Sequence, residues 1–296
     1  MVWKAFLKPK LFAYARLLRF NMMGGMLLLW PSMWALWLAS RGHPDYVWVL
    51  IFAVGAILMH SAGCILNDYA DRHFDARVAR TKARPLVVGS VGAAEAFCLL
   101  AMLCLICFLM VLPRLTALFS ACMALAVAVA ASYPFAKRFF PLPQAWLGLA
   151  FGLSAPMAYA AETSAAPLEA WVLVCANIFW AMAYDTEYAM ADRADDIKIG
   201  IRSSAITLGR YDVLAVMCCY GAAFLLTGWV GLGAGLGGVF LAFLALAFLF
   251  AARHYRLIQD REGESCLRAF TENNQVGMVI FLGIALDYLW RDWPLV

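Results

Sequence analysis

The chain has 296 residues, 65% of them apolar and 14% charged, with a net charge of +4 and a mean hydropathy of +0.78. Soluble domains carry about 25% charged residues, so this composition excludes a soluble fold and requires lipid as part of the solvent. The distribution of the basic residues, not their sum, carries the information, and no nucleic-acid partner is expected.

Residues 1–21 carry Lys4, Lys8, Lys10, Arg16 and Arg19 interleaved with Phe6, Leu7, Leu11, Phe12 and Leu17. They read as an interfacial amphipathic helix and not as a cleaved signal. Residues 22–296 read as a single all-α transmembrane domain. A spanning helix needs about 20 mostly apolar residues. That ruler gives nine spans, at about 22–40, 46–66, 91–112, 115–134, 142–161, 168–186, 212–230, 233–252 and 274–290. With the N-terminus in the cytoplasm, 20 of the 23 Lys and Arg residues fall on the cytoplasmic side, leaving only Arg41, Arg114 and Arg291 opposite. This is a strong positive-inside pattern, and it places the chain in a bacterial inner membrane, or the mitochondrial one in a eukaryote.

The second span ends in Asn67, Asp68, Asp71 and Asp75. On a helix, positions 67, 71 and 75 share one face at i,i+4 spacing, with Asp68 beside it. The sixth span ends in Asp185, Asp192, Asp195 and Asp196, where 185, 192 and 196 again share a face. Like charges at i,i+4 cost a helix a few tenths of a kcal/mol per pair. Repeating that cost at two helix ends on one side of the membrane points to a cation that offsets it. An all-oxygen donor set beside Arg and Lys suits Mg²⁺ bound together with substrate phosphates. It does not suit Zn²⁺, which takes Cys and His. The expected chemistry is departure of diphosphate from an allylic carbon, with the cation held in a dry, aromatic-rich bundle.

These segments resemble the UbiA-type intramembrane prenyltransferases, in the branch acting on 4-hydroxybenzoate. Asn67-Asp-Tyr-Ala-Asp71-x3-Asp75 is similar to the first Asp motif of that family and Asp192-x3-Asp196 to the second. Leu27–Leu36, Gly63–Asp75, Arg80–Leu86, Tyr184–Arg193 and Asp196–Ile201 extend the likeness over nearly the whole chain. The resemblance implies a nine-helix bundle with a central cavity open to the cytoplasm. It also implies transfer of a polyprenyl group from polyprenyl diphosphate to the ring carbon ortho to the phenol of 4-hydroxybenzoate, a step of ubiquinone biosynthesis. Carried over by position, Asn67, Asp68, Asp71, Asp75, Asp192, Asp195 and Asp196 are the expected metal ligands. Arg77, Arg80, Arg84, Lys137 and Lys198 are expected to bind diphosphate. Arg72, Arg19 and Tyr133 are expected to bind the acceptor, and Asp71, Asp192 and Arg138 to act in catalysis. The chain departs from the family at Phe20–Gly24, where Asp-Lys-Pro-x-Gly is common, and at Val87-Val88-Gly89, Glu187 and Ala194.

Other signals carry less. Cys104 and Cys107 form a C-x-x-C inside an apolar run and read as lipid-buried thiols. Gly233–Gly238 satisfies G-x-G-x-x-G without the preceding strand that a dinucleotide site needs. His60 reads as an interhelical hydrogen-bonding group, Asp287 as interfacial, Trp34 as a packing residue and Trp37 as an interface anchor. The rival readings are a prenyltransferase for a naphthoate, homogentisate or tetrapyrrole acceptor, and an ion-coupled transporter. A transporter would place its carboxylates near the bilayer midplane.

Overall fold

A computed structural model describes residues 2–19, 24–77, 81–136, 140–200 and 203–292. The described residues form helices and turns and contain no strand. In chain order the helices are α1 (Val2–Leu18), α2 (Gly24–Ala39), α3 (Tyr46–Asp75), α4 (Ala93–Val111), α5 (Ala117–Ala136), α6 (Pro143–Gly152), α7 (Ser154–Thr163), α8 (Leu168–Ile199), α9 (Ser204–Leu208), α10 (Asp212–Gly233), α11 (Gly238–Ile258) and α12 (Gly263–Asp292). The nine expected spans fall, in order, on α2, α3, α4, α5, the α6–α7 pair, α8, α10, α11 and α12. By length and apolarity alone, five segments among the described residues can cross a membrane: Tyr46–Asp75, Ala93–Arg114, Ala117–Ala136, Ser204–Gly233 and Gly238–Ile258. The other expected spans are shorter, broken or interrupted by charge.

Two helices run well past their apolar stretches. α3 has 30 residues and α8 has 32. At 1.5 Å per residue they are about 45 and 48 Å long, against a hydrocarbon thickness of about 30 Å. Each therefore carries its Asp set outside the lipid core on unbroken helix, which keeps the i,i+4 positions on one face. α3 starts at Asp45, whose side chain accepts from the Val47 N–H at 2.8 Å and pairs with Arg114 at the end of α4. The Arg114 guanidinium and the Val47 N–H hold the Asp45 carboxyl below the usual carboxylate range. α8 ends at Gly200 with φ +72°, the left-handed cap that glycine adopts without strain.

α8 is the central post, packed against α6, α7, α10 and α12. Its contact with α6 depends on Gly148 and Gly152, a small-xxx-small pair. A Cβ at Gly148 would lie 2.6 Å from the Ile178 Cα and 2.8 Å from the Ala181 Cβ. The same contact lets Asn177 donate to the Gly148 carbonyl at 2.8 Å. On the other side, Glu187 of α8 is fully buried. It accepts from Tyr220 of α10 at 2.9 Å and from Asn273 of α12 at 2.8 Å. His254 of α11 meets the Tyr220 hydroxyl at 2.9 Å, and Trp180 donates to Asn273 at 2.8 Å. Each of the four helices thus contributes to one dry polar knot.

Two side chains expected at the membrane interface have partners on neighbouring helices. Asp287 is a helix cap. It is 2% exposed and accepts from the backbone N–H of Gly237 at 3.0 Å and of Phe240 at 2.9 Å. It closes the N-terminus of α11, where unpaired N–H groups and the helix dipole favour a carboxylate. Trp37 packs edge-on against Phe281 of α12 at 4.8 Å, a helix–helix contact. Trp34 packs as expected: it is buried, lies tilted against Trp180 with ring centroids 5.1 Å apart and donates to the Gly277 carbonyl at 3.0 Å. α1 lies against α3, where Ala13, Leu17 and Leu18 form a small second core with Ala62, Ile65, Val91, Ala96 and Leu103.

Candidate active site

A cavity of about 850 Å³ opens between α3, α5, α6 and α8 and reaches α2, α4 and α12. Most of its wall is apolar, from Phe52, Phe108, Phe119, Met123 and Leu147 to Phe151. Its acidic residues gather at the ends of α3 and α8. Asn67, Asp71 and Asp75 of α3 and Asp185, Asp192, Asp195 and Asp196 of α8 all line it. The two acidic sets, more than 100 residues apart in sequence, therefore share one chamber. Arg19, which follows α1, and Arg84, in the segment after α3, line the same end, as do Thr81 and Ser203.

Arg84 lies 2.5 Å from Asp75 Oδ2 and 3.0 Å from Asp68 Oδ1, while Arg19 lies 2.5 Å from the same Asp68 oxygen. Thr81 donates to the Asp75 carbonyl at 2.9 Å, folding the segment after α3 back onto the helix end. Arg16 adds a bond to the Ala83 carbonyl at 2.8 Å. Loop and α1 together hold two guanidinium groups over the carboxylates of α3.

The remaining expected residues divide. Tyr133 lines the cavity. Arg72 is not on its wall: it bonds the Tyr69 carbonyl at 2.6 Å and stacks over the Tyr69 ring at 4.2 Å. Arg77 is exposed and off the wall. Lys198 is exposed and pairs with Asp195 at 3.0 Å. Arg80, Lys137 and Arg138 lie outside the described residues. His60 lines the cavity and does not bridge helices: its Nε2 sits 3.5 Å from Cys64 Sγ one turn on in α3. Cys104 and Cys107 are on the cavity wall and are not paired with each other.

Sequence reasoning missed a polar corner. The Tyr184 hydroxyl, Gln144 Oε1 and Ser203 Oγ are buried on this wall without a hydrogen-bond partner among the described residues. Gln144 starts α6 and Ser203 precedes α9, and Thr207 ties these loops together through the Pro141 carbonyl at 2.8 Å. The pairing emerges only from tertiary contact. Buried polar atoms of this kind cost free energy unless something bonds them.

The site fits a hard divalent cation. Its donors are carboxylate and amide oxygens facing a chamber that also holds arginines. Among the described residues, no three His, Cys, Asp or Glu side chains stand close enough together to hold a metal by themselves. Mg²⁺ does not need such a cage, because it keeps waters and binds through one or two carboxylates plus phosphate oxygens.

The profile of the UbiA prenyltransferase family matches residues 28–283. The chain is 52% identical over 284 residues to the 4-hydroxybenzoate octaprenyltransferase of Azoarcus sp. (strain BH72), covering 96% of this chain and 99% of that protein. The 4-hydroxybenzoate octaprenyltransferase of Dechloromonas aromatica (strain RCB) is 52% identical over 290 residues, covering 98% of each chain. Among solved structures, the apo UbiA homolog of Aeropyrum pernix K1 superposes with a TM-score of 0.76 at 27% identity, covering 90% of this chain and 98% of that one. A UbiA homolog of Archaeoglobus fulgidus bound to GPP and Mg²⁺ shares the fold, with a TM-score of 0.68 at 15% identity over 93% of this chain and 99% of that one.

Proposed function

Because the chain belongs to the UbiA prenyltransferase family, as an integral membrane protein, we propose that it transfers a polyprenyl group from polyprenyl diphosphate to the ring carbon ortho to the phenol of 4-hydroxybenzoate, in ubiquinone biosynthesis. The observation that carries this reading is the single cavity in which both acidic sets and two arginines meet an apolar chamber. Relatives half identical over nearly their full length carry the same named activity.

Asn67, Asp71, Asp75, Asp192 and Asp196 would hold Mg²⁺, with Asp195 beside them. When bound, Mg²⁺ supplies positive charge against the diphosphate as the C–O bond to the prenyl carbon breaks. Arg19 and Arg84 present fixed N–H donors to the same phosphates, so their charge needs little rearrangement during the reaction. Arg80 and Lys137 are assigned to the diphosphate, and Arg138 to catalysis, on their match to the family's motifs alone. The allylic carbon, left electron-poor, faces Tyr133, Tyr184, Tyr188 and Phe270 on the wall. Their ring faces stabilise positive charge, and the apolar lining keeps out the water that would quench it. The acceptor ring enters beside Tyr133, with Arg19 toward its carboxylate. Asp192 takes the phenol proton, which raises the electron density of the attacking carbon; once the C–C bond forms, that carbon loses its own proton and the phenol oxygen regains one, restoring the aromatic ring as diphosphate leaves.

In this reading residues 1–21 are an interfacial segment whose helix, α1, lies on the membrane surface, and residues 22–296 form the catalytic domain. The basic-residue asymmetry sets the acidic sets toward the cytoplasm of a bacterial inner membrane. The test incubates membranes containing the protein with Mg²⁺, a polyprenyl diphosphate and 4-hydroxybenzoate. Prenylated 4-hydroxybenzoate is expected, with none after EDTA and recovery on adding Mg²⁺. Product only with a naphthoate, homogentisate or tetrapyrrole acceptor would overturn the acceptor assignment. No product with any acceptor would overturn the enzyme reading.

A further inference from the structure

Asp68 stands apart from the acidic set it belongs to. Asn67, Asp71 and Asp75 line the cavity, whereas Asp68 does not. It is 1% exposed. Successive helical residues turn by about 100°, so a helix that aims Asn67 and Asp71 at the chamber swings Asp68 to its flank. There one oxygen, Oδ1, lies 2.5 Å from Arg19 Nη2 and 3.0 Å from Arg84 Nη1. Arg19 arrives from the end of α1 with φ +52°, and Arg84 from the segment after α3. Both arginines line the cavity although the carboxylate between them does not.

We infer that Asp68 is a positioning residue: it fixes the Arg19 and Arg84 guanidinium groups toward the diphosphate and does not ligate the metal. The inference rests on the diphosphate chemistry assigned above. A guanidinium has five N–H donors, so each arginine can spend one on Asp68 and offer others to phosphate oxygens. Two like charges held this close require a shared counter-ion. Removing one partner of a buried ion pair leaves the other charge uncompensated, so without Asp68 Arg19 loses its carboxylate while Arg84 stays on Asp75, and the two lose their common aim. The arrangement also makes α1 part of the site. Arg16, Lys10 and Arg19 tie α1 to Ala83, to Ser90 and Glu95, and to Asp68.

The experiment uses the full-length protein and its Asp68→Asn variant, with Asp71→Asn as the metal-ligand comparison. Inorganic diphosphate binding is measured calorimetrically in EDTA, and the half-saturating Mg²⁺ and the KM and kcat for polyprenyl diphosphate are measured in turnover. Asp68→Asn is expected to weaken metal-free diphosphate binding about tenfold, the scale of one charge-assisted hydrogen bond. KM should rise to match, with half-saturating Mg²⁺ unchanged. Asp71→Asn is expected to raise the Mg²⁺ requirement and leave metal-free binding intact. Asp68→Glu, which keeps the charge, should recover part of the affinity. If Asp68→Asn does not fold, Arg19→Lys and Arg84→Lys carry the test, since each keeps charge but loses the guanidinium fork, and each should weaken metal-free binding. The inference is overturned if Asp68→Asn raises the Mg²⁺ requirement, if it leaves metal-free binding unchanged, or if the active wild type binds no diphosphate in EDTA. A wild type that neither binds diphosphate with Mg²⁺ nor transfers a prenyl group refutes the parent reading instead.

Discussion

Adding one methyl group to Gly148 tests whether the α6–α8 contact sets the shape of the chamber. In Gly148→Ala the new Cβ would meet the Ile178 Cα at 2.6 Å and the Ala181 Cβ at 2.8 Å. The first of these is backbone, which cannot swing aside as a side chain can. Overpacking of this kind costs about 1–3 kcal/mol, and the rigid neighbour argues for the upper end. Pushing α6 away also strains the Asn177 bond to the Gly148 carbonyl, about 1 kcal/mol more. Alanine returns about 1 kcal/mol through its better helix propensity, leaving a net loss of about 3 kcal/mol. At about 2–4 °C per kcal/mol, the thermal midpoint in detergent should fall by roughly 6–12 °C. Gly221→Ala is the control, because nothing lies within 4 Å of its Cβ. The same chemical change there should raise the midpoint slightly. Because α6 carries Gln144 and α8 carries Asp192, Gly148→Ala should also lower turnover. A Gly148→Ala midpoint at or above that of the wild type would refute the close-contact argument.

Asp71→Ala and Asp192→Ala should each reduce turnover below detection, while size-exclusion profiles in detergent stay those of the wild type. Turnover at the wild-type level in either would remove the two-set mechanism. Glu187→Leu should lower stability by about 1–3 kcal/mol, since it leaves Tyr220 and Asn273 short of a buried partner. Glu187→Gln keeps an acceptor oxygen and should cost less; equal losses by thermal melting would contradict this. Arg72→Ala should leave the KM for 4-hydroxybenzoate within about threefold of the wild type, because Arg72 is spent on Tyr69 and weaker placements of charge contribute little. A larger rise would return Arg72 to the acceptor site. The Asp45 carboxyl is held below its ordinary value, so its contribution is present above the unfolded value of about 3.9 and lost as pH falls through the folded one. The midpoint gap between wild type and Asp45→Asn should therefore hold steady above about pH 5 and begin to narrow below about pH 4. A gap that does not narrow at all between about pH 5 and about pH 2 would exclude this pairing as its source.

The acidic sets were readable in advance because helical spacing and a shared side of the membrane are both local or additive properties. Span ends were less readable. Apolarity stops near residues 66 and 186, but the helices of α3 and α8 continue to Asp75 and Ile199, since polar residues outside lipid still favour helix when the face they form is used. Pairings across the bundle left no local mark. Asp287 looks like any polar residue near a helix end until Gly237 and Phe240 are found beside it. Asp68 sits within a ligand-like motif, and only Arg19, 49 positions away in sequence, distinguishes it from its neighbours. The Gly148–Gly152 pair was visible as letters, but its meaning depended on which helix approached it.

The knot around Glu187 has a consequence for the order in which the protein is made. Asn273 follows Glu187 by 86 residues. At about 5–20 residues per second of synthesis, α8 waits roughly 4–17 s for this partner to leave the ribosome. Tyr220, 33 residues on, arrives first, and the second bond to the Glu187 carboxyl group waits for Asn273. The second half of the bundle thus settles only when its final helix arrives, and the nascent chain acquires its catalytic chamber at the end of translation, not progressively along it.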